Sequence, residues 1–235
     1  MAKGKSGPTG AARSLAKIDL FAALSAAQRT AIEARCRWRE YPKGASVIDR
    51  ESPETDVYFV VAGSVRVVIH SESGREVAFD EMGPGGCVGE LAAIDGGPRS
   101  ASVEALEQTL CAILPRQTLL DVAVTAPAAT LALLRRMAAM LRVATARILD
   151  LSTLGAHNRV YAEILRLAKP VAGKLVIKPI PVHGDIAARV STTRETVARV
   201  FSELARKNIV VKEGGGLTIA APSRLKAMVR EFKTA

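Results

Sequence analysis

Between Pro127 and Leu154 the chain runs for twenty-eight residues without an internal proline or a glycine, and alanine, leucine, methionine and arginine dominate the stretch. Proline lacks an N–H and holds a φ suited to the first helical position, so Pro127 marks a start rather than a break. The four residue types that dominate are good helix formers. One helix of that length spans roughly 42 Å, too long to lie across a single small module without projecting. Leu131, Leu134, Ala138, Leu141, Thr145, Ile148 and Ser152 fall at alternating intervals of three and four, the a/d spacing of a two-stranded coiled coil. That spacing predicts a homodimer seam. A helix buried against its own domain would show the same period, and small or polar residues at 138, 145 and 152 make a weak zipper, so both arrangements stay open. Gly155 is expected to end the helix.

Ahead of the helix, Leu15 to Cys36 carry helical apolar spacing with Ser25 as a candidate N-cap, until Pro42 and Gly44 punctuate the chain. Strand candidates follow at Val57 to Val61 and Val65 to Ile69, around Ala62-Gly63-Ser64; Ser71 to Gly74 then leads into Val77-Ala78-Phe79. Two more lie at Ala101 to Ala105 and Leu110 to Leu114. Short apolar runs between turn residues are the pattern of an antiparallel barrel or sandwich. The first fourteen residues, rich in Lys, Gly, Ser and Ala and without a secretory apolar segment, read as a flexible tail.

After the helix, Asn158 to Lys169 read as helical and stop at Pro170, and Lys174 to Lys178 read as a short strand. Gly184 to Val190 and Thr193 to Lys207 are two helical segments around a tight Ser/Thr-rich turn. Ile209 to Lys212 and Leu217 to Ala220, joined by Glu213-Gly214-Gly215-Gly216, read as a hairpin. Helix, turn, helix and hairpin in that order describe a winged helix-turn-helix. The chain is therefore α+β, in four parts: 1–14, 15–126, 127–154 and 155–235.

Lysines and arginines number 33 against 23 acidic residues, a net charge of +10, and the excess is concentrated. Residues 15–126 carry −5, 127–154 carry +3, 155–235 carry +9 and the first fourteen +3. Only the last module has the electrostatic footprint of a polyanion binder. Double-stranded DNA is expected ahead of anionic lipid, because the basic residues are interleaved with strand and turn signals rather than lining an amphipathic helix. A hydrophobic content of 49% excludes disorder of the whole chain, and no run of eighteen uncharged apolar residues is present to cross a bilayer. A soluble protein without a membrane partner is expected.

Cys36, Cys87 and Cys111 are odd in number and lack CxxC spacing, so the expectation is a reducing cytoplasm and no metal site. His70, His157 and His183 share no metal spacing either. No nucleophile and base can be paired from sequence, so no catalytic residue and no enzymatic activity are assigned.

Two segments carry chemistry. In Gly89-Glu90-Leu91 followed by Arg99-Ser100, a glycine before a short helical turn exposes backbone N–H groups to an anion, and the arginine can return across the loop to phosphate oxygens. Glu90 is a poor neighbour for phosphate but a good acceptor for a sugar hydroxyl, so with Arg99 it asks for a ribose hydroxyl beside a phosphate. A surface loop closed by a Glu90–Arg99 salt bridge would use the same residues. In the second segment, Arg194, Glu195 and Arg199 share the leading edge of a helix. Arginine can bond guanine O6 and N7, and glutamate can accept from cytosine N4. A solvated face with an internal Glu195–Arg199 ion pair is the alternative.

Residues 89–103 resemble the phosphate-binding cassette of the cyclic-nucleotide-binding β-roll, and Thr193-Arg194-Glu195-Thr196-Val197-Ala198-Arg199 resembles the recognition helix of the bacterial catabolite-activator family. With the heptad helix between them, the resemblance covers residues 15 to 225 and is to the cyclic-AMP receptor protein/fumarate-nitrate regulator family of transcription regulators. It implies an N-terminal cyclic-nucleotide-binding β-roll of jelly-roll type, a long dimerisation helix and a C-terminal winged helix-turn-helix. It implies that Glu90 accepts from the ribose 2′-OH and that Arg99 and Ser100, with the backbone of Gly89, Glu90 and Leu91, hold the cyclic phosphate. The long helix would line the purine pocket while forming the dimer. On DNA the resemblance implies a palindromic operator with TGTGA-like half-sites, read by Arg194, Glu195 and Arg199, with Thr193, Thr196 and Lys212 on phosphates. RNA polymerase is a further implied partner.

The departures bear on the ligand. Members that answer to cyclic AMP place two adjacent hydroxyl residues of the dimer helix against the purine, and the matching pair here is Ala144 and Thr145. One hydroxyl is missing, while Ser100 can serve a guanine amino group. Cyclic AMP is expected ahead of cyclic GMP. The alternative is a family regulator that binds DNA without ligand or answers to another small molecule, haem or a redox signal, for which Cys87 or His70 would be the candidate haem ligand. Ser191 stands where helix-turn-helix corners often place a left-handed glycine.

Overall fold

The computed structural model describes residues 13–70 and 76–230, so most of the expected tail and the Ser71 to Gly74 turn lie outside the described residues. Two compact units divide at residues 139 and 140, within the long helix.

The first unit opens with a 3-10 turn, Asp19–Phe21, and helix α1 (Ala26–Glu33). Ser25 caps α1 as expected: its hydroxyl accepts from the Gln28 N–H while the Gln28 side chain accepts from the Ser25 N–H. Strands β1 (Arg37–Tyr41), β2 (Ser46–Ile48), β3 (Val57–Ala62), β4 (Val65–His70), β5 (Glu76–Met82) and β6 (Cys87–Val88) follow. Helix α2 (Glu90–Asp95), strands β7 (Ser102–Ala105) and β8 (Thr109–Leu114), and helices α3 (Arg116–Thr125) and α4 (Pro127–Thr153) come next. The strands pair antiparallel in two sheets, ordered β1-β8-β3-β6 and β2-β7-β4-β5.

Strands β3 and β8 are buried on both faces, which is why they read as unbroken apolar runs. Successive side chains point opposite ways along a strand. Val57, Phe59, Ala112 and Leu114 therefore face a core with Leu15, Phe21, Leu119, Val122 and Leu133, where Phe21 meets Phe59 edge-on at 5.0 Å. Tyr58, Val60, Cys111 and Ile113 face a second core with Val47, Val65, Val88 and Val103, filled from both sheets.

The sequence reading placed no helix between Leu114 and Pro127, yet α3 fills that interval and buries Leu119 and Val122. Its ten residues include four β-branched side chains, too many in too short a stretch for a helical period to emerge. Strand β1 was missed because only Tyr41 of its five residues is buried.

Helix α4 begins at Pro127 as expected and runs 27 residues. Gly155 does not close it. Its φ of −66° is not left-handed, and it serves as the N-cap of α5 (Ala156–Leu167). The end of α4 is satisfied instead by Arg159, whose Nη1 donates to the Leu154 carbonyl at 2.8 Å.

The second unit continues with β9 (Lys169–Val171), β10 (Lys174–Ile177), α6 (His183–Arg189), α7 (Arg194–Arg206), β11 (Val210–Glu213), β12 (Gly216–Ile219) and α8 (Pro222–Arg230). Its sheet runs β11-β12-β10-β9. Helix α5 ends at Leu167 rather than Lys169; Pro170 then sits in the edge strand β9, where its missing N–H is tolerated. Gly214 and Gly215 take φ of +59° and +73° in the β11–β12 turn, the two positive values a two-residue hairpin of this twist requires. Helix α7 buries Val197, Val200, Phe201 and Leu204 against Val160, Ile164, Ile186 and Leu225, and its opposite face is left to solvent. A β-roll, a long helix and a winged helix-turn-helix are the architecture expected from the sequence. Among the described residues no single helix is long and apolar enough to cross a membrane, and no cluster of three His, Cys, Asp or Glu side chains could hold a metal.

Candidate functional site

Strand β6 ends at Gly89, whose φ of +83° turns the chain into α2. Glycine is required twice over. A Cβ there would stand 2.4 Å from Arg99 Nη1, besides adopting a left-handed φ. Arg99 returns across the loop as expected and is buried, 4% exposed. Its Nη1 donates to the Gly89 carbonyl at 3.0 Å and its Nη2 to the Asp56 carbonyl at 2.8 Å, while Nε is buried with no partner. Burial lowers the Arg99 pKa, against Tyr58, Glu54, Asp56 and Glu90, which favour the charge. The guanidinium also lies 5.8 Å from the Tyr58 ring centroid. A buried cation with an orphaned N–H fits an anionic ligand, because such a donor is costly to leave unmade. Ser100 and Leu91 are exposed beside it.

Glu90 is also 4% exposed, so the loop is not a surface loop closed by a Glu90–Arg99 bridge. Its ion pair is with Arg136 of α4, Nε to Oε1 at 3.0 Å, and Arg136 Nη2 also donates to the Cys87 carbonyl at 2.6 Å. Burial, with Glu90 nearby, holds the Cys87 thiol well above its ordinary pKa despite Arg136. A thiol so protonated is a poor haem ligand. The side chain of His70, the other candidate, lies outside the described residues.

Along α4, Ala129 and Leu133 are buried in the first unit's core with Ala132 and Met137 against it. The heptad residues point elsewhere. Leu131, Leu134, Leu141 and Ile148 are 47%, 60%, 69% and 64% exposed. Ala138, Ala144 and Thr145 are exposed as well. The helix thus has one stripe packed on its own unit and a second apolar stripe left open.

In the second unit, Thr193 caps α7, its hydroxyl accepting from the Thr196 N–H at 3.2 Å. Arg194, Glu195 and Arg199 are exposed on one face, and Lys212 is exposed on β11. No Glu195–Arg199 ion pair forms among the described residues; the Glu195 carboxylate is held below its usual pKa by its own backbone N–H, the Thr193 hydroxyl and then Arg194. Both arginines of this face are therefore available to a ligand. Ser191 takes φ +51°, keeping the left-handed corner without glycine.

Sequence reasoning missed Arg136, Asp56, Arg159 and Glu163. Glu163 is 1% exposed and receives Arg166 at 3.3 Å, Arg189 at 3.8 Å and Arg147 at 3.9 Å, and Arg166 also pairs with Asp150. A carboxylate in phase with Val160 and Ile164 on an apolar helix face was the available signal. Nothing local separates Arg136 from Arg135, nor marks a carbonyl such as that of Asp56.

Residues 38–125 match the family model of the cyclic nucleotide-binding domain, and residues 158–228 match that of the Crp-like helix-turn-helix domain. The chain is 34% identical over 173 residues to the cyclic AMP receptor protein of Thermus thermophilus, covering 73% of this chain and 78% of that protein. It is 26% identical over 220 residues to the CRP-like cAMP-activated global transcriptional regulator of Mycobacterium tuberculosis, covering 92% and 98%. Among solved structures, FixK2 from Bradyrhizobium japonicum is similar with a TM-score of 0.68 and 25% identity, over 85% of this chain and 98% of that one.

Proposed function

Because the chain belongs to the cyclic AMP receptor protein/fumarate-nitrate regulator family of DNA-binding transcription regulators, we propose that it acts in the cytoplasm as a homodimer, switched by a cyclic nucleotide. Cyclic AMP is the ligand put first and cyclic GMP second. The observation that carries the reading is Arg99, a buried guanidinium over a left-handed Gly89 with Nε bare. Arg99, Ser100 and the backbone of Gly89, Glu90 and Leu91 would hold the cyclic phosphate, Glu90 the ribose hydroxyl, and Ala144 and Thr145 the purine. Leu131, Leu134, Ala138, Leu141, Thr145 and Ile148 would form the seam, whose exposed leucines support a second copy as occupant. Arg194, Glu195 and Arg199 would read TGTGA-like half-sites of a palindrome, with Thr193, Thr196 and Lys212 on phosphates. The functional division is a tail (1–14), a nucleotide domain (15–126), a dimer helix (127–154) and a DNA domain (155–235), with RNA polymerase as a further partner. A nucleotide that binds one arrangement of the paired helices more tightly would bring two recognition helices to half-sites roughly 34 Å apart.

Ala144, which offers no hydroxyl, supports a second reading: a family regulator whose DNA binding needs no nucleotide or answers to another signal. Fluorescence anisotropy of a TGTGA-containing palindromic duplex, at fixed salt, alone and with saturating cyclic AMP or cyclic GMP, separates the two. Tighter, sequence-selective binding with one nucleotide is expected. Equal binding in all three conditions favours the second reading.

A further inference from the structure

A cavity of about 770 Å³ lies within the second unit, walled by the start of α5, the last turns of α7 and α8. Helix α5 begins at Gly155 with no side chain to cap it, so the first N–H groups of the helix, on residues that line the cavity, have no side-chain acceptor. Tyr161, in the next turn, is 5% exposed and keeps its ring in the apolar core with Val160 and Ile164. Its hydroxyl makes no hydrogen bond among the described residues, although the side chain forms part of the cavity wall. A tyrosine so enclosed ordinarily finds a partner for its O–H. Burial, with Glu203 nearby, holds that hydroxyl above its ordinary pKa, so it stays a donor.

The charges of the wall do not cancel. Lys207 pairs with Glu203 at 2.5 Å and offsets the carboxylate that would repel an anion. Arg224, exposed on α8, makes no ion pair or hydrogen bond among the described residues. The positive end of the α5 dipole adds to that excess, while Ala227 and Met228 give the cavity an apolar side. We propose that this cavity is a further ligand site, in the other unit from the nucleotide cassette, for a small organic monoanion: its carboxylate meets the α5 N-terminus, Arg224 and the Tyr161 O–H, and a short unbranched apolar body lies along Ala227 and Met228. Uncapped helical N–H groups and a guanidinium are both donors suited to a carboxylate, and an unbranched methionine side chain adapts to the shape of an apolar body. A neutral or cationic molecule of the same shape leaves these donors unmatched. An occupant touches the start of α5 and the end of the helix that carries Arg194 and Arg199 together.

The test is a heteronuclear NMR titration of the full chain with hexanoate, hexanol and hexylammonium, which share a chain and differ in the charge of the head. Hexanoate is expected to bind saturably, to move the amide signals of Ala156, His157 and Asn158, and to bind about tenfold or more tightly than either analogue. Arg224→Gln should weaken hexanoate about tenfold and leave hexanol unchanged. Tyr161→Phe, which keeps the ring in the core, should weaken hexanoate about threefold. Circular dichroism verifies the fold of both variants, and Arg224, being exposed, keeps the test available if the core substitution unfolds the chain. Hexanol binding as tightly as hexanoate, unaltered hexanoate affinity in Arg224→Gln, signals that move only in the nucleotide cassette, or no saturable binding of hexanoate overturns the site. Each of these leaves the nucleotide reading standing, since that reading depends on residues of the first unit.

Discussion

Arg159 donates to the carbonyl of Ser191 at 3.0 Å, while its Nε takes the Val190 carbonyl at 2.8 Å and its Nη1 that of Leu154 at 2.8 Å. Ser191 holds φ +51°, where a Cβ is disfavoured, so the corner between α6 and α7 depends on the arginine that ties down its carbonyls. Arg159→Met is expected to destabilise by about 2–4 kcal/mol through loss of three charge-assisted bonds. Ser191→Gly should stay within about 1 kcal/mol of the unaltered chain, because relief of strain and added freedom of the unfolded chain oppose one another. Calorimetry of both variants reads the difference; equal losses would contradict this account of the corner.

Gly89→Ala should reduce cyclic nucleotide affinity by about a hundredfold or more, since the new methyl and the left-handed φ together displace Arg99 from its carbonyls. Titration calorimetry gives the affinity and circular dichroism the fold. Unchanged affinity in a folded variant would remove the cassette from the binding site.

Arg194→Ala should cost about 1–3 kcal/mol on operator DNA and far less on random DNA. Lys212→Ala should weaken both alike and lower the salt dependence of binding by about one counterion. Anisotropy titrations on the two duplexes across a salt series distinguish these roles, and equal losses for Arg194→Ala on both duplexes would contradict base readout.

Leu141, 69% exposed on α4, should be indispensable to a dimer and dispensable to the monomer fold. Leu141→Glu is expected to sediment as a monomer with its thermal unfolding little changed, because two buried carboxylates would face each other across the seam. A dimer of undiminished stability would place the seam elsewhere.

Much of the architecture was legible along the chain because its signals are local. Pro127 and a run of helix formers announce α4; Gly214-Gly215 announces the hairpin turn; Ser25 announces the cap of α1, and its reciprocal partner Gln28 appears only in the structure. Helix α3 stayed hidden for a local reason too, since β-branched residues blurred a short period. In the candidate site, Gly89, Glu90 and Arg99 could be named from spacing and chemistry, and their burial and partners could not.

The order of modules, the heptad on α4 and the residue types offered to phosphate, sugar and base are written locally, because periodicity, capping and charge depend on neighbours a few residues apart. Folding in three dimensions is what pairs Glu90 with Arg136, 46 residues away, rests Arg99 on the Asp56 carbonyl, 43 residues away, and makes Gly155 open one helix rather than close another. Those choices turn on which distant groups come to share a dry interior, where an unmatched donor or charge is costly enough to select its partner.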